Sequence, residues 1–595
     1  MAMTDNAPAT VPAERMERTP LRVWLAPPIP GGAAWGWLGP LLVTVFAGFL
    51  RFYRLGDPKA VVFDETYYAK DALALLKFGW EHNTVKDADK LLIADPDARI
   101  WADGASFIAH PPMGKWMIAI GEWMFGATPF GWRFVPALVG TLSVLILARV
   151  ARRMTGSTLL GCAAGLLLAL DGLQFVTSRA ALLDIFVMFW ILAGFACLVN
   201  DRDRSRRQLA DKIENGARRY GLYGPYVLHG WRIAAGVCLG LACATKWTGV
   251  FYIAAFGLMV VCWDFGARRA AGVRNPLAGA LTLDAVPAFF QLVVVAAIAY
   301  LASWWGWIFR PGGWGRGEVS SNPLWRPFEA MPKLWHYHSE ILNFHTGLDS
   351  KHPYQSWPWD WPILRRPVAF FYNEPKGACD AARCSREILG IGTPALWWGA
   401  LIALVALVFI WAMVRDWRAG AILLGFLAGW LTWFPSAFAD RTMFLFYATP
   451  MIPFMVLAIV LVFGYLIGPA PNTAGAHAPS AAGAHAAGVP AADHGAVGYG
   501  PVGYGAGDGA LMGLSPEDDD PASEALVGAT AWQPPAPGPP PPALPAGMRR
   551  VVGAAAVGAF MLLVLANFAY FYPILSAQVL PYDSWHARIW LRTWV

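Results

Sequence analysis

Two adjacent carboxylates, Asp64 and Glu65, stand in the stretch Val61-Val62-Phe63-Asp64-Glu65-Thr66-Tyr67-Tyr68, behind an apolar triplet and ahead of an aromatic pair. Acids at the start of a helix ordinarily complement its dipole and stay solvated. These two follow closely on an apolar segment of membrane-spanning length, and at such an interface an acid with a basic neighbour suggests acid–base chemistry. Downstream, His110-Pro111-Pro112-Met113-Gly114-Lys115 opens a second, shorter apolar segment. Arg133, Lys246, Arg365, Arg366 and Arg441 fall at the outer ends of apolar spans or in an outer loop, against the bias of basic residues for the cytosolic side. Each therefore calls for a local anion. A lipid headgroup would serve, and so would the phosphate of a lipid-linked substrate. Asp171, Arg179 and Asp184 lie at the outer ends of two consecutive spans and read as an ion-paired corner.

The elements that must carry these residues are membrane helices. Of 595 residues, 56% are hydrophobic and only 14% charged, which makes the chain a polytopic membrane protein and leaves the net charge of +6 no bearing on nucleic acid. Spans of roughly 20 apolar residues are expected near 33–50, 134–150, 159–175, 181–199, 231–245, 250–263, 286–308, 396–414, 422–438, 444–467 and 551–572, about eleven in all. The basic N-terminal tail, residues 1–32, reads as the cytosolic flank of an uncleaved signal anchor, and basic clusters such as Arg152-Arg153 and Arg268-Arg269 alternate accordingly. Residues 51–132 and 309–393 become outer loops, and the C-terminus lies outside. The apolar piece 113–125 is too short to cross and is expected to lie along the interface. Residues 69–80 read as an amphipathic helix with Lys70, Asp71 and Lys77 on its wet side. The domain plan is thus a membrane catalytic domain, 33–467, an Ala/Gly/Pro-rich cytosolic linker, 468–550, that cannot bury a core, and a last span with an outer tail, 551–595.

The outer loop is crowded with Trp residues, among them Trp304, Trp305, Trp307, Trp325, Trp335, Trp359 and Trp361. Some are expected to anchor at the interface, and others to stack on sugar rings or hold an acyl chain. His336, His338, His345 and His352 occur there without a carboxylate at a convincing metal-ligand spacing. Cys379 and Cys384 share the same oxidising side and are expected to form a disulfide closing a small loop.

Several stretches, taken in order, resemble one family. They are Phe63-Asp64-Glu65, His110-Pro111-Pro112-Met113-Gly114-Lys115, Arg133-Phe134-Val135-Pro136-Ala137, Ser178-Arg179-Ala180-Ala181-Leu182-Leu183-Asp184 and Thr245-Lys246-Trp247-Thr248-Gly249. His352-Pro353-Tyr354-Gln355-Ser356 and Trp361-Pro362-Ile363-Leu364-Arg365-Arg366-Pro367-Val368 continue the series. Together they resemble the protein O-mannosyltransferases (glycosyltransferase family 39), specifically the shorter actinobacterial-type members, over residues 51–467 and again at Trp590-Leu591-Arg592-Thr593-Trp594. The sequence departs from eukaryotic members in an outer loop too short for their inserted β-trefoil, and in its long linker.

The resemblance implies an all-α polytopic membrane protein of C-type glycosyltransferase architecture, with its active site between the first outer loop and the outer ends of the spans. It implies inverting transfer of mannose from a polyprenyl-phosphate-mannose donor to Ser or Thr hydroxyls of secreted polypeptides, at the outer face of the plasma membrane. The secretion translocon is a candidate delivery route. Asp64 takes the role of general base, with Glu65 supporting it or orienting the peptide. Arg133 and Arg366 are the first candidates for the donor phosphate, with Lys115, Lys246, Arg441 and His110 behind them. Neither cofactor nor metal is implied, and membrane lipid is the remaining partner. Two other readings stay open: a related transferase acting on a lipid or cell-wall glycan, and a lipid-carrier flippase or transporter. The absence of a sequence repeat and the gathering of charge at the outer rim weigh against transport.

Overall fold

The computed structural model describes residues 20–216, 222–468 and 546–595. The chain divides into two units, Met1–Gly468 with Val552–Val595, and Pro469–Val551. Residues 1–19 and most of the linker expected over 468–550 lie outside the described residues.

Among the described residues nine helices are long and apolar enough to cross a membrane. In chain order the principal helices are α1 (Ala33–Phe52), α2 (Glu65–Phe78), α3 (Met113–Phe125), α4 (Pro129–Thr155), α5 (Thr158–Ala169), α6 (Asp184–Glu214), α7 (Gly230–Cys243), α8 (Gly249–Ala270), α9 (Pro276–Ser303), α10 (Arg326–Thr346), α11 (Pro394–Val414), α12 (Trp417–Phe438), α13 (Leu445–Ile467) and α14 (Ala546–Leu575). Local chemistry sets their ends. The Thr128 hydroxyl accepts from Gly131 N at 3.1 Å and Pro129 occupies the first turn of α4. The same helix stops at Gly156, φ 72°, with Arg152 and Arg153 against the negative end of its dipole.

Two of the expected spans, 159–175 and 231–245, are shorter than foreseen. Helix α5 has 12 residues and α7 has 14, roughly 18 and 21 Å at 1.5 Å per residue, against a hydrocarbon core of about 30 Å. Helix α5 ends because Asp171 starts a separate short helix, Gly172–Thr177, by accepting from Gln174 N at 2.8 Å. Helix α7 ends at Ala244, whose carbonyl accepts from Met113 N at 3.0 Å. Both breaks lie within the protein. Helix α9 begins earlier than expected and contains two π-helical turns, Ala280–Ala285 and Phe290–Val294.

The loops expected outside are not purely helical. Strands β1 (His82–Thr84) and β2 (Trp101–Ala105) pair antiparallel in the first. In the second, β3 (Val368–Asn373) pairs with β4 (Cys384–Gly390), with Val368 opposite Gly390, and β4 pairs with β5 (Val579–Pro581), with Cys384 opposite Pro581. The all-α expectation therefore holds for the membrane body and gives way to two small sheets outside it. Alternating Val, Phe and Tyr in β3 suit a half-buried pleated surface better than a helix.

Helix α3 has the bounds expected of it. It turns Ile120, Trp123, Met124 and Phe125 outward and Met117, Ile118, Gly121 and Glu122 inward. The expected wet side of α2 is covered at Lys70 and Asp71 and exposed at Lys77. Lys70 pairs with Asp89 at 2.7 Å, and Asp71 lies 3.9 Å from Lys115, which pairs with Glu81 at 2.5 Å. Of the loop Trp residues, Trp304, Trp307 and Trp361 are core, while Trp325 and Trp335 are exposed.

Candidate active site

Phe63 has a left-handed backbone, φ 48°, and stacks on Phe370 with ring centroids 5.0 Å apart. Asp64 and Glu65 are the cap and first residue of α2, and successive side chains on a helix point in different directions. Asp64 stands immediately ahead of α2 and its carbonyl accepts from Tyr67 and Tyr68 N.

Glu65 is fully buried. Its Oε1 accepts from Arg133 Nε at 2.7 Å and Ala181 N at 3.1 Å; its Oε2 accepts from Arg133 Nη2 at 2.8 Å and Val62 N at 2.9 Å. Arg133 spends its remaining donors on the carbonyls of Leu55, Pro58 and Ala60 and is itself 1% exposed. Two expectations fall here. Glu65 is too enclosed to orient a peptide, and Arg133 is too saturated to hold a donor phosphate. The pair instead forms the post on which the Leu55–Glu65 turn and α4 are fixed.

Asp64 differs in kind, since its carboxylate has no hydrogen-bond partner among the described residues. Burial pushes its pKa up to about 6; Lys246 pulls against that rise and Asp184 adds to it. Lys246 donates to Asp184 Oδ2 at 2.7 Å and lies over the ring of Tyr447, 5.0 Å from its centroid. Asp184 thus belongs to this site and not to the expected corner with Asp171 and Arg179. Those two also go separate ways. Asp171 caps its short helix and accepts from Trp397 Nε1 at 2.7 Å, while Arg179 donates to the carbonyls of Arg51 at 2.7 Å and Tyr53 at 2.8 Å. Both hold the fold, with no ion pair between them.

The far wall is built from the end of α10 and the chain ahead of α13. His345 Nε2–H donates to Ala109 O at 2.7 Å, which leaves Nδ1 to accept from Arg441 Nη2 at 3.2 Å. The imidazoles of His110 and His345 lie 4.9 Å apart. Burial holds His345 down to about 4 and His110 well below its usual range, with Lys246 and Arg441 repelling a further positive charge at both. Arg441 also donates to His345 O at 3.0 Å and lies near the rings of Trp433 and Tyr447. Among the described residues no carboxylate pairs with it.

The remaining expected cations are occupied elsewhere. Lys115 is 1% exposed and held by Glu81, Asp71 and the His110 carbonyl, so it braces the His110 turn from behind. Arg366 donates to the carbonyls of Pro353, Thr593 and Val595, tying the outer loop to the C-terminal segment. Cys379 and Cys384 are joined in a disulfide, Cα atoms 5.9 Å apart, at the turn between β3 and β4. Sequence reasoning passed over Tyr68 and Tyr447. Tyr68 follows Asp64 by four residues on the same face of α2, a spacing that offered the signal; its hydroxyl is held protonated by burial and by the Asp64 charge.

Asp64, with Lys246 as its nearest cation, stands at one end of a helical bundle beneath long loops, and the fold is that of a membrane transferase of the C-type glycosyltransferase architecture. The family described as dolichyl-phosphate-mannose-protein mannosyltransferase matches residues 41–298, and the C-terminal four TMM region of protein-O-mannosyltransferase matches residues 330–482. The chain is 34% identical over 575 residues to the polyprenol-phosphate-mannose–protein mannosyltransferase of Mycolicibacterium smegmatis (strain MKD8), covering 94% of this chain and 93% of that one. It is 34% identical to the enzyme of the same name from Corynebacterium glutamicum over 74% of this chain and 86% of that one. In fold it is similar to the S. cerevisiae protein O-mannosyltransferase Pmt1–Pmt2 complex bound to the sugar donor, with a TM-score of 0.60, 14% identity, and coverage of 94% and 92%. This chain belongs to the protein O-mannosyltransferase family.

Proposed function

We propose that this protein transfers mannose, with inversion, from polyprenyl-phosphate-mannose to Ser and Thr hydroxyls of secreted polypeptides. The observation that carries the reading is Asp64, an unbonded carboxylate with its pKa raised to about 6, near Lys246, which shares the Tyr447 ring with Arg441. The acceptor hydroxyl gives its proton to Asp64 as its oxygen bonds to the anomeric carbon. The bond from that carbon to the phosphate oxygen breaks on the opposite face, and its electron pair leaves with the polyprenyl phosphate. Lys246 and Arg441 stabilise the charge gathering there. Phosphate is a good enough leaving group that no general acid is required.

An apolar groove of about 710 Å³ suits the polyprenyl chain. It is lined by Met113, Trp116 and Ile120 of the α3 region, Val237 and Leu241 of α7, and Ile298 of α9. The α7 wall ends at Cys243, just ahead of Lys246, so a lipid lying in the groove brings its phosphate toward that lysine. In this reading the protein is a plasma-membrane enzyme with its N-terminus cytosolic and its C-terminus and site outside, where polypeptides arrive from the translocon. Membranes carrying the protein should move mannose from the lipid donor to a Ser/Thr peptide, with or without chelator. Transfer to lipid or cell-wall glycan alone would refute the assignment.

A further inference from the structure

The end of the bundle remote from Asp64 holds a buried constellation that mannosyl transfer does not use. His229 precedes α7, Asp264 lies on α8 and Asp284 sits in the first π-helical turn of α9. Along α8, Asp264 is fifteen residues from Gly249, roughly 23 Å from the Lys246 end. His229, Asp264 and Asp284 are 3%, 7% and 2% exposed. One ligand atom from each lies within 4.8 Å of the others, around a cavity of about 10 Å³ closed by Val227, Leu209 and Arg268. That is room for one water-sized occupant.

The hydrogen bonds aim this site inward. His229 Nδ1–H donates to Asp201 Oδ2 at 2.9 Å, which leaves the lone pair of Nε2 facing the cavity, and Nε2 has no hydrogen-bond partner among the described residues. A carboxylate behind a histidine whose other nitrogen faces a shared point is the outer-shell arrangement of metal-binding histidines. The Nε2 to Asp284 Oδ1 distance is 3.7 Å. That is too long for an N–H···O bond, whereas two ligands each about 2.1 Å from one ion can stand that far apart. Asp264 Oδ2 is likewise without a hydrogen bond, although Arg232 Nη2 passes 3.0 Å away.

Arg232 reaches Asp201 and Asp264, Arg268 grips Asp284 at 2.5 and 2.7 Å, and Arg206 lies within electrostatic reach of Asp264. These guanidiniums balance the carboxylates, so what calls for an occupant is the pair of buried atoms without a hydrogen bond, His229 Nε2 and Asp264 Oδ2. The chemistry of one imidazole and two carboxylates suits Zn²⁺ or Mn²⁺.

We infer that His229, Asp264 and Asp284 bind one divalent metal ion, with Asp201 as the positioning residue behind the histidine, and that this ion pins the neighbouring ends of α7, α8 and α9 against the middle of α6. Full-length protein in detergent, stripped with chelator, is titrated with Zn²⁺ by calorimetry, and its metal content is measured after dialysis. One equivalent per chain is expected, with a rise in unfolding temperature on loading. Asp201→Asn keeps all three ligands and should weaken binding about 10–100-fold; His229→Gln should abolish the saturable site. Absence of saturable binding to the wild-type protein, meaning a water or a proton on His229 fills the cavity, overturns the inference without any variant. Zn²⁺ binding unchanged in both variants places the ion elsewhere and overturns it equally.

Discussion

Replacing Glu65 by Gln separates a structural carboxylate from a catalytic one. The wild-type carboxylate accepts at both oxygens, each meeting one guanidinium N–H and one backbone N–H. A glutamine can present an oxygen to only one of those ends. Its NH₂ must face two donors at the other, either Arg133 Nε with Ala181 N, or Arg133 Nη2 with Val62 N. The substitution also leaves Arg133, 1% exposed, without its counter-charge. Removing one partner of a buried ion pair costs about 3–5 kcal/mol, far beyond a surface change. Because Val62 and Ala181 are anchored on the same side chain, the turn carrying Asp64 loosens with it. The measurement is thermal unfolding of Glu65→Gln in detergent beside mannosyl transfer over a range of temperatures. A large loss of stability is expected, with activity falling as the fold loosens and partly recovering in the cold. Arg133→Gln should behave alike. A Glu65→Gln protein as stable as wild type yet inactive at every temperature would refute the argument and make Glu65 a chemical participant.

Asp64→Asn should lower transfer by about 10²–10⁴-fold while leaving donor binding intact, since the phosphate cations are separate; near-normal turnover would exclude Asp64 as the base. With its pKa raised to about 6, Asp64 is competent only when ionised, so the transfer rate should rise with pH through about 6 and then level. His345, held down to about 4, and His110, pushed lower still than usual, remain neutral across that window, and a second limb between pH 5 and 8 would contradict the assignment. Arg441→Gln removes a donor from the leaving group and should reduce kcat by about 10²–10³-fold, a change of only a few fold being the refuting result. Non-reduced peptide mapping should find Cys379 and Cys384 linked, and their joint replacement by Ser should cost on the order of 2 kcal/mol with activity retained; two freely alkylatable thiols in the mature protein would refute the pairing.

The membrane body was readable because a long apolar run has few alternatives to a helix, and α3 was delimited to the residue. The short helices α5 and α7 were misjudged because hydropathy does not register where a chain stops inside a protein. Asp171 ends one by capping a neighbour, a contact that depends on Trp397 and Thr393 from far along the chain. The site divided in the same manner. That Asp64 is a candidate was legible from its setting and from family resemblance. Which of the outer cations are free was not, because Arg133, Lys115 and Arg366 are disarmed by partners that sequence spacing does not bring near: Glu65, Glu81 and the carbonyls at Thr593 and Val595.

Strand β5 closes the outer sheet from a position far downstream. Arg386 on β4 donates to Ala577 just ahead of β5, across 191 residues of sequence. During synthesis β4 must therefore wait as an open sheet edge until the last apolar helix has been threaded and the chain beyond it has emerged on the same side. Trp594 then locks under Leu364, and Arg366 clasps the same segment. The order of assembly is built into the topology: the roof over the site is finished last, and a chain stalled before its final helix has a membrane body but an unlatched roof. A ribosome release defect or a late frameshift in this gene would thus leave the Asp64 turn in place and still yield an unfinished enzyme.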